Sequence, residues 1–125
     1  MSAIRLFQGH QDRHFHDLVY YHGDTPKPLR FSVYSENEAG ILALDESIAG
    51  ATLRAKLSID GGVETLLSVI NNGDGTGEIV FPSDASVLLV GATKNESTGR
   101  IDIEVVDGAY VSYLQRFTFP IEKRV

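Results

Sequence analysis

From Leu29 to Ser35 apolar and polar positions alternate, with Leu29, Phe31 and Val33 on one side and Arg30, Ser32 and Tyr34 on the other. Successive side chains of an extended strand point to opposite faces, so a period of two predicts a strand with one buried face. Thr52 to Ile59 has the same pattern, with Leu53, Ala55, Leu57 and Ile59 inward and Thr52, Arg54, Lys56 and Ser58 toward water. Asp60-Gly61-Gly62 then supplies the positive-φ residues of a tight hairpin turn, which makes Val63 to Ile70 the partner strand. Further on, Ile101, Ile103 and Val105 alternate with Asp102 and Glu104. Asp107-Gly108 is a second hairpin signal, and Tyr110 to Ile121 is an aromatic-rich strand returning antiparallel.

Between these segments, Asn71-Asn72-Gly73-Asp74-Gly75-Thr76-Gly77 is too rich in turn formers to continue any element, and Glu78 to Phe81 reads as a short strand ended by Pro82. Ser83 is placed to cap a brief helical turn through Leu88. With Ile4 to Phe7, His14 to Tyr21 and Ile41 to Leu44 added, the chain carries about eight or nine strands, the pattern of an all-β antiparallel sandwich, with an isolated barrel as the alternative.

The length of 125 residues suits one domain, and 42% hydrophobic with 22% charged residues is an ordinary globular balance. A net charge of −6 with scattered Lys and Arg argues against a nucleic-acid partner, since phosphate contacts need clustered basic residues. Cysteine is absent, which removes disulfides, thiolate zinc sites and cysteine nucleophiles together. Met1-Ser2-Ala3-Ile4-Arg5 lacks the apolar run of a signal peptide, and no stretch approaches the ~18 to 20 apolar residues of a membrane span. The expectation is a protein made in a cytoplasm, with no membrane partner.

The segment His10-Gln11-Asp12-Arg13-His14-Phe15-His16-Asp17, with His22 nearby, is the most suggestive for chemistry. On a strand His14 and His16 share a face, a workable pair of imidazole ligands to which Asp12 would add an oxygen. The plainer reading is the polar face of a strand with Phe15 turned to the core, so no metal or cofactor is assigned. At a subunit contact such histidines would make association depend on pH. The loop around Asp74 is rich in oxygen and glycine but lacks the ligand spacing of helical calcium loops, and a hairpin loop explains the same residues. Asp102 and Glu104 share one strand face but alternate with a clean apolar row, which predicts a solvated sheet face rather than a catalytic pair. No Gly-x-Ser-x-Gly, Gly-x-Gly-x-x-Gly or Gly-Lys-Ser/Thr motif occurs, and no catalytic residue is assigned. Tyr20, Tyr21, Tyr34, Tyr110 and Tyr113 read first as packing, next as interface, and last as a sugar-binding surface.

The order of motifs carries a resemblance. Tyr21-His22-Gly23-Asp24-Thr25, the strand from Leu29, then Leu42-Ala43-Leu44-Asp45 and Ile48-Ala49-Gly50-Ala51-Thr52-Leu53 resemble the opening of the Ig-like β-sandwich domains of bacteriophage tail and baseplate proteins. Gly77-Glu78-Ile79-Val80-Phe81-Pro82 and Ile101-Asp102-Ile103-Glu104-Val105-Val106-Asp107-Gly108 are similar to their later half, so the likeness runs from about Tyr20 to Ile121. Two departures are a longer Lys94 to Gly99 loop before the strand expected at Arg100, and residues 1–19, which have no counterpart and are read as an N-terminal strand or arm ahead of a sandwich over 20–125. The resemblance implies a non-enzymatic virion structural protein that docks to other virion proteins in several copies. The alternatives are a receptor- or carbohydrate-binding module at a tail fibre and a capsid decoration protein. The expected contact residues are His10, His14, His16, Tyr20, Tyr21 and Asp74.

Overall fold

The computed structural model describes residues 3–8, 12–21, 26–81 and 96–122. Among the described residues ten strands run in chain order: β1 Ala3–Phe7, β2 Asp12–His14, β3 Tyr20–Tyr21, β4 Leu29–Glu36, β5 Leu42–Leu44, β6 Thr52–Ile59, β7 Thr65–Asn71, β8 Thr76–Val80, β9 Glu96–Asp107 and β10 Tyr110–Glu122. A 3-10 turn, Glu46–Ile48, sits between β5 and β6. The helical turn expected at Ser83 to Leu88 lies outside the described residues.

The alternating segments behave as their period requires. Leu29, Phe31 and Val33 are buried, as are Leu53, Ala55, Leu57 and Ile59, and Ile101 with Ile103. Asp60 and Gly61 both have positive φ, 51° and 73°, the geometry that matches the twist of a two-residue hairpin. At the β9–β10 hairpin Gly108 takes φ 59°.

Two expected elements differ. The strand foreseen from His14 to Tyr21 is split into β2 and β3 by a turn at His16 and Asp17, closed by Leu18 N–H donating to the Phe15 carbonyl and anchored by buried Leu18. The strand foreseen from Arg100 starts at Glu96, because Ser97, Thr98 and Gly99 continue the ladder against Ile121, Pro120 and Phe119. Gly99 is required there by contact, since a Cβ at that position would lie 2.4 Å from the Phe119 ring.

The strands form one sheet in the order β1-β4-β8-β7-β6-β9-β10-β2, with β3 also on β10 and β5 also on β4. An antiparallel sandwich was expected, but β1 pairs parallel with β4, and β2 and β3 pair parallel with β10. The architecture is therefore all-β and mixed, a curled half-barrel. Chain length explains the curl. Laid flat, seven interstrand spacings of about 4.8 Å would hold β1 and β2 about 34 Å apart. The five residues from Phe7 to Asp12 reach at most about 17 Å, so the two edges must swing toward each other. β7 helps make the bend, pairing with β6 through Thr65 to Leu67 and with β8 through Ser68 to Asn71.

The meeting edges are held by side chains. Arg13 of β2 donates to the Arg5 carbonyl of β1 at 2.7 Å, and its guanidinium lies over the rings of Phe7 and Phe15. A bulge at Tyr113 to Gln115 turns Leu114 and Gln115 inward in succession, and fully buried Gln115 donates to the Phe7 carbonyl. Inside the curl one apolar cluster gathers Ile4, Leu6, Phe31, Leu57, Ile79, Ile101, Phe117, Phe119 and their neighbours. Residues before Tyr20 are part of it, through Ile4, Leu6 and Leu18.

Candidate functional site

The histidine-rich segment is placed on β2 and the turn after it. The rings of His14 and His16 are tilted against each other with centroids 5.7 Å apart, and both residues are exposed. His14 Nδ1 is 2.7 Å from Thr118 Oγ1 on β10. Asp12 is diverted from the pair, its carboxylate accepting from the Tyr113 hydroxyl at 3.2 Å. Burial, then the neighbouring Asp12 carboxylate, push the Tyr113 hydroxyl up to about 12. His10 and His22 lie outside the described residues. Among the described residues no three His, Cys, Asp or Glu side chains are grouped to hold a metal ion.

The other expected contact residues separate. Tyr20 is a packing residue, with its ring edge-on to Phe81 and Phe119, and burial pushes its hydroxyl up to about 12. Tyr21 is 41% exposed at the end of β3. Asp74 is turned into its own loop, where it accepts from the side chain and backbone of Thr76, and these bonds lower its carboxyl below the usual range. Asn71 donates to the carbonyls of Ile48 and Ala51 and accepts from Gly73 N–H. The polar atoms of this loop are thus engaged in building a turn rather than converging on a cation.

Asp102 and Glu104 stand on the outer face of β9, yet Asp102 is only 8% exposed. Cross-strand cations cover it. Arg116 meets Asp102 with two nitrogens at 2.7 and 3.3 Å, which holds the guanidinium more firmly in its charged form, and Arg100 approaches at 3.8 Å. Glu104 takes Arg54 at 2.9 Å and Lys56 at 3.6 Å. The expected water-facing row is an ion-pair lattice across β6, β9 and β10.

The feature not foreseen is a groove of about 710 Å³ on the outer face of β1 and β4, lined by Phe7, Tyr34, Phe15, Arg5, Arg13 and Asp17 among others. Phe7 stacks on Tyr34 at 5.5 Å, because the parallel register puts them side by side. The same face continues onto β5 through Leu44, the register partner of Tyr34, and Leu42, the partner of Glu36; these two are 37% and 51% exposed. The available signal was Arg13 and Phe15 interleaved with the histidines; the parallel pairing that brings them beside Phe7 has no local trace.

These observations define a class: an all-β protein on one curled mixed sheet, bearing an ion-pair lattice on one outer face and an aromatic groove on another. Among solved structures its fold is similar to the N-terminal domain of phage TP901-1 ORF48, with a TM-score of 0.50 and 11% identity over 97% of this chain and 98% of that one. At that identity the likeness is one of fold. No family model and no curated protein matches the sequence.

Proposed function

We propose that this chain is a non-enzymatic structural protein of a phage virion, a docking element of the tail or baseplate that works in several copies against other virion proteins. The observation that carries the reading is the fold likeness to a phage protein domain over nearly the whole of both chains. The motif order from Tyr20 to Ile121 supports the finer assignment to the Ig-like domains of tails and baseplates. Docking by such a protein relies on surface contacts multiplied by copy number rather than on a reactive centre. The aromatic groove and the exposed residues of β5 offer the mixture of flat rings, Arg and aliphatic side chains that contact surfaces favour. Quantitative mass spectrometry of purified particles from the producing strain is the test. Stoichiometric presence that survives stringent washing is expected, and absence from the particle would sink the proposal.

A second reading is carbohydrate recognition, favoured by the groove itself, where aromatic faces stand beside Arg and Asp. Of the five tyrosines only Tyr34 lines it. Glycan-array retention that is lost in Tyr34→Ala would promote this reading over the first.

A further inference from the structure

We propose that the free edge of β5 is a strand-addition site for an extended basic segment of a partner protein, one that alternates Lys or Arg with apolar residues. The proposal rests on the docking reading above and gives it a place and a partner chemistry.

The main chain carries it first. Asn37 N–H donates to the Ile41 carbonyl and Asp45 N–H donates to the Val33 carbonyl, so residues 41 and 45 turn their peptide groups toward β4. These groups alternate sides along an antiparallel strand, so Ala43 faces Ser35 on β4 while Leu42 and Leu44 direct theirs outward. Among the described residues β5 pairs with β4 alone, and no turn or loop bond reaches the outward groups. A row of unpaired N–H and C=O groups is a template for another strand. On β1 the corresponding edge is closed, since the Arg5 and Phe7 carbonyls accept from Arg13 and Gln115.

The side chains fit the same use. Open edges are commonly guarded by Lys, Pro or an inward charge. Ile41-Leu42-Ala43-Leu44 has none of these, and all four residues are exposed. The strand is short, so each contact is weak and copy number multiplies it.

Charge selects the occupant. No Lys or Arg occurs between Arg30 and Arg54, while Glu36, Glu38 and Glu46 are exposed around the ends of β5. None of the three is ion-paired among the described residues. A second copy paired antiparallel about Ala43 would set Glu46 of each chain opposite Gly40 of the other, two residues from Glu38, and so gather like charges. A basic strand neutralises them instead.

Amide hydrogen exchange by NMR, on the full chain with a capped peptide of alternating Lys and Val, tests the site. In the free chain Ala43 should exchange slowly and Leu42 and Leu44 fast; with the peptide, both leucine amides should slow together. Leu42→Pro removes an outward N–H that the fold does not use, at the first residue of an edge strand, where Pro is tolerated. It should abolish binding and leave the melting temperature unchanged. Glu36→Gln combined with Glu38→Gln and Glu46→Gln should weaken binding about tenfold, and a peptide of alternating Glu and Val should not bind. Peptides N-methylated at alternate amides probe the pairing without altering the chain: one of the two possible sets should destroy binding and the other spare it. Leucine amides that stay fast at every soluble peptide concentration, or equal tolerance of both methylated sets, would overturn the strand-addition site. Equal binding of the Glu peptide, or protection of the same amides in a concentration-dependent dimer of the chain itself, would overturn the basic partner. Incorporation into particles is measured separately, so a failed peptide removes the site and leaves the virion role standing.

Discussion

The outer face of β6, β9 and β10 and the outer face of β1, β4 and β5 cover the same core yet are finished differently. On the first, register places carboxylates opposite cations, Glu104 against Arg54 and Asp102 against Arg116, and these charges are paired within the face. On the second, register places Phe7 beside Tyr34 and Tyr34 beside Leu44; the two rings are half-buried, and Leu42 and Leu44 are left facing solvent. A face whose charges are already paired gains little from a partner, whereas exposed rings and aliphatic groups gain by being covered. Under the docking reading, Leu42 and Leu44 on β5 are one side to test, and Leu66 and Tyr113, exposed beside the ion pairs, are another.

The comparison assumes one shared core beneath both faces, and the largest effects test that. Phe31→Ala under the β4 face and Phe117→Ala under the β10 face should each cost about 3–5 kcal/mol and lower one common melting transition. Two separate transitions by calorimetry would mean that the halves fold independently. Next come the glycines that allow rings to lie on backbone. A Cβ at Gly77 would sit 2.6 Å from both the Ile70 carbonyl and the Phe31 ring, while the three atoms nearest one at Gly99 all belong to the Phe119 ring. Each alanine substitution should cost about 1–3 kcal/mol by denaturant titration, Gly77→Ala the more because backbone cannot give way.

Asp102→Ala, which leaves Arg116 and Arg100 without their shared carboxylate, should cost about 1 kcal/mol, held down by the partial exposure of the arginines. The counterpart on the other face, Leu42→Ser with Leu44→Ser, should change stability by less than about 0.5 kcal/mol. If the leucine pair proved the costlier, that face would be structural and not free to dock.

A pH series sharpens the same contrast at the 3-10 turn. Burial works to raise the Asp45 carboxyl, but hydrogen bonds from Ser47 and Gln8 outweigh it and leave it below its ordinary value. A lowered folded-state value means the stabilisation is complete above the unfolded carboxylate range, near pH 4, and is lost as pH falls through the folded value beneath it. The melting-temperature gap between the native chain and Asp45→Asn should therefore be constant at neutral pH and shrink only below about pH 4. A gap that closed nearer neutrality would show that Asp45 is not the capping carboxylate.

Local pattern made much of this fold readable. Burial of one face of β4, β6 and β9 follows from a side-chain period of two, and the turns at Asp60-Gly61 and Gly108 follow from the few residues that tolerate positive φ. At Asp74 the turn was legible but its use was not, because Gly- and Asn-rich loops look alike whether they hold a ligand or only themselves; in this one the Asp74 carboxylate is bonded to Thr76. The split between β2 and β3 was missed because buried Leu18 and exposed Asp17 fit an alternating strand as well as a turn.

The sequence by itself determined which residues turn inward, where the tight turns fall, and that the core must hold without disulfides, because these depend on neighbours along the chain and on composition. Only the tertiary structure decided that β1 and β2 lie at opposite edges of one sheet, each parallel to its neighbour β4 or β10, that Arg13 bridges those edges, and that Thr118 meets His14 from 104 residues away. Parallel pairing and strand order depend on which distant segments find each other, and a period of two is the same for either direction of the partner strand.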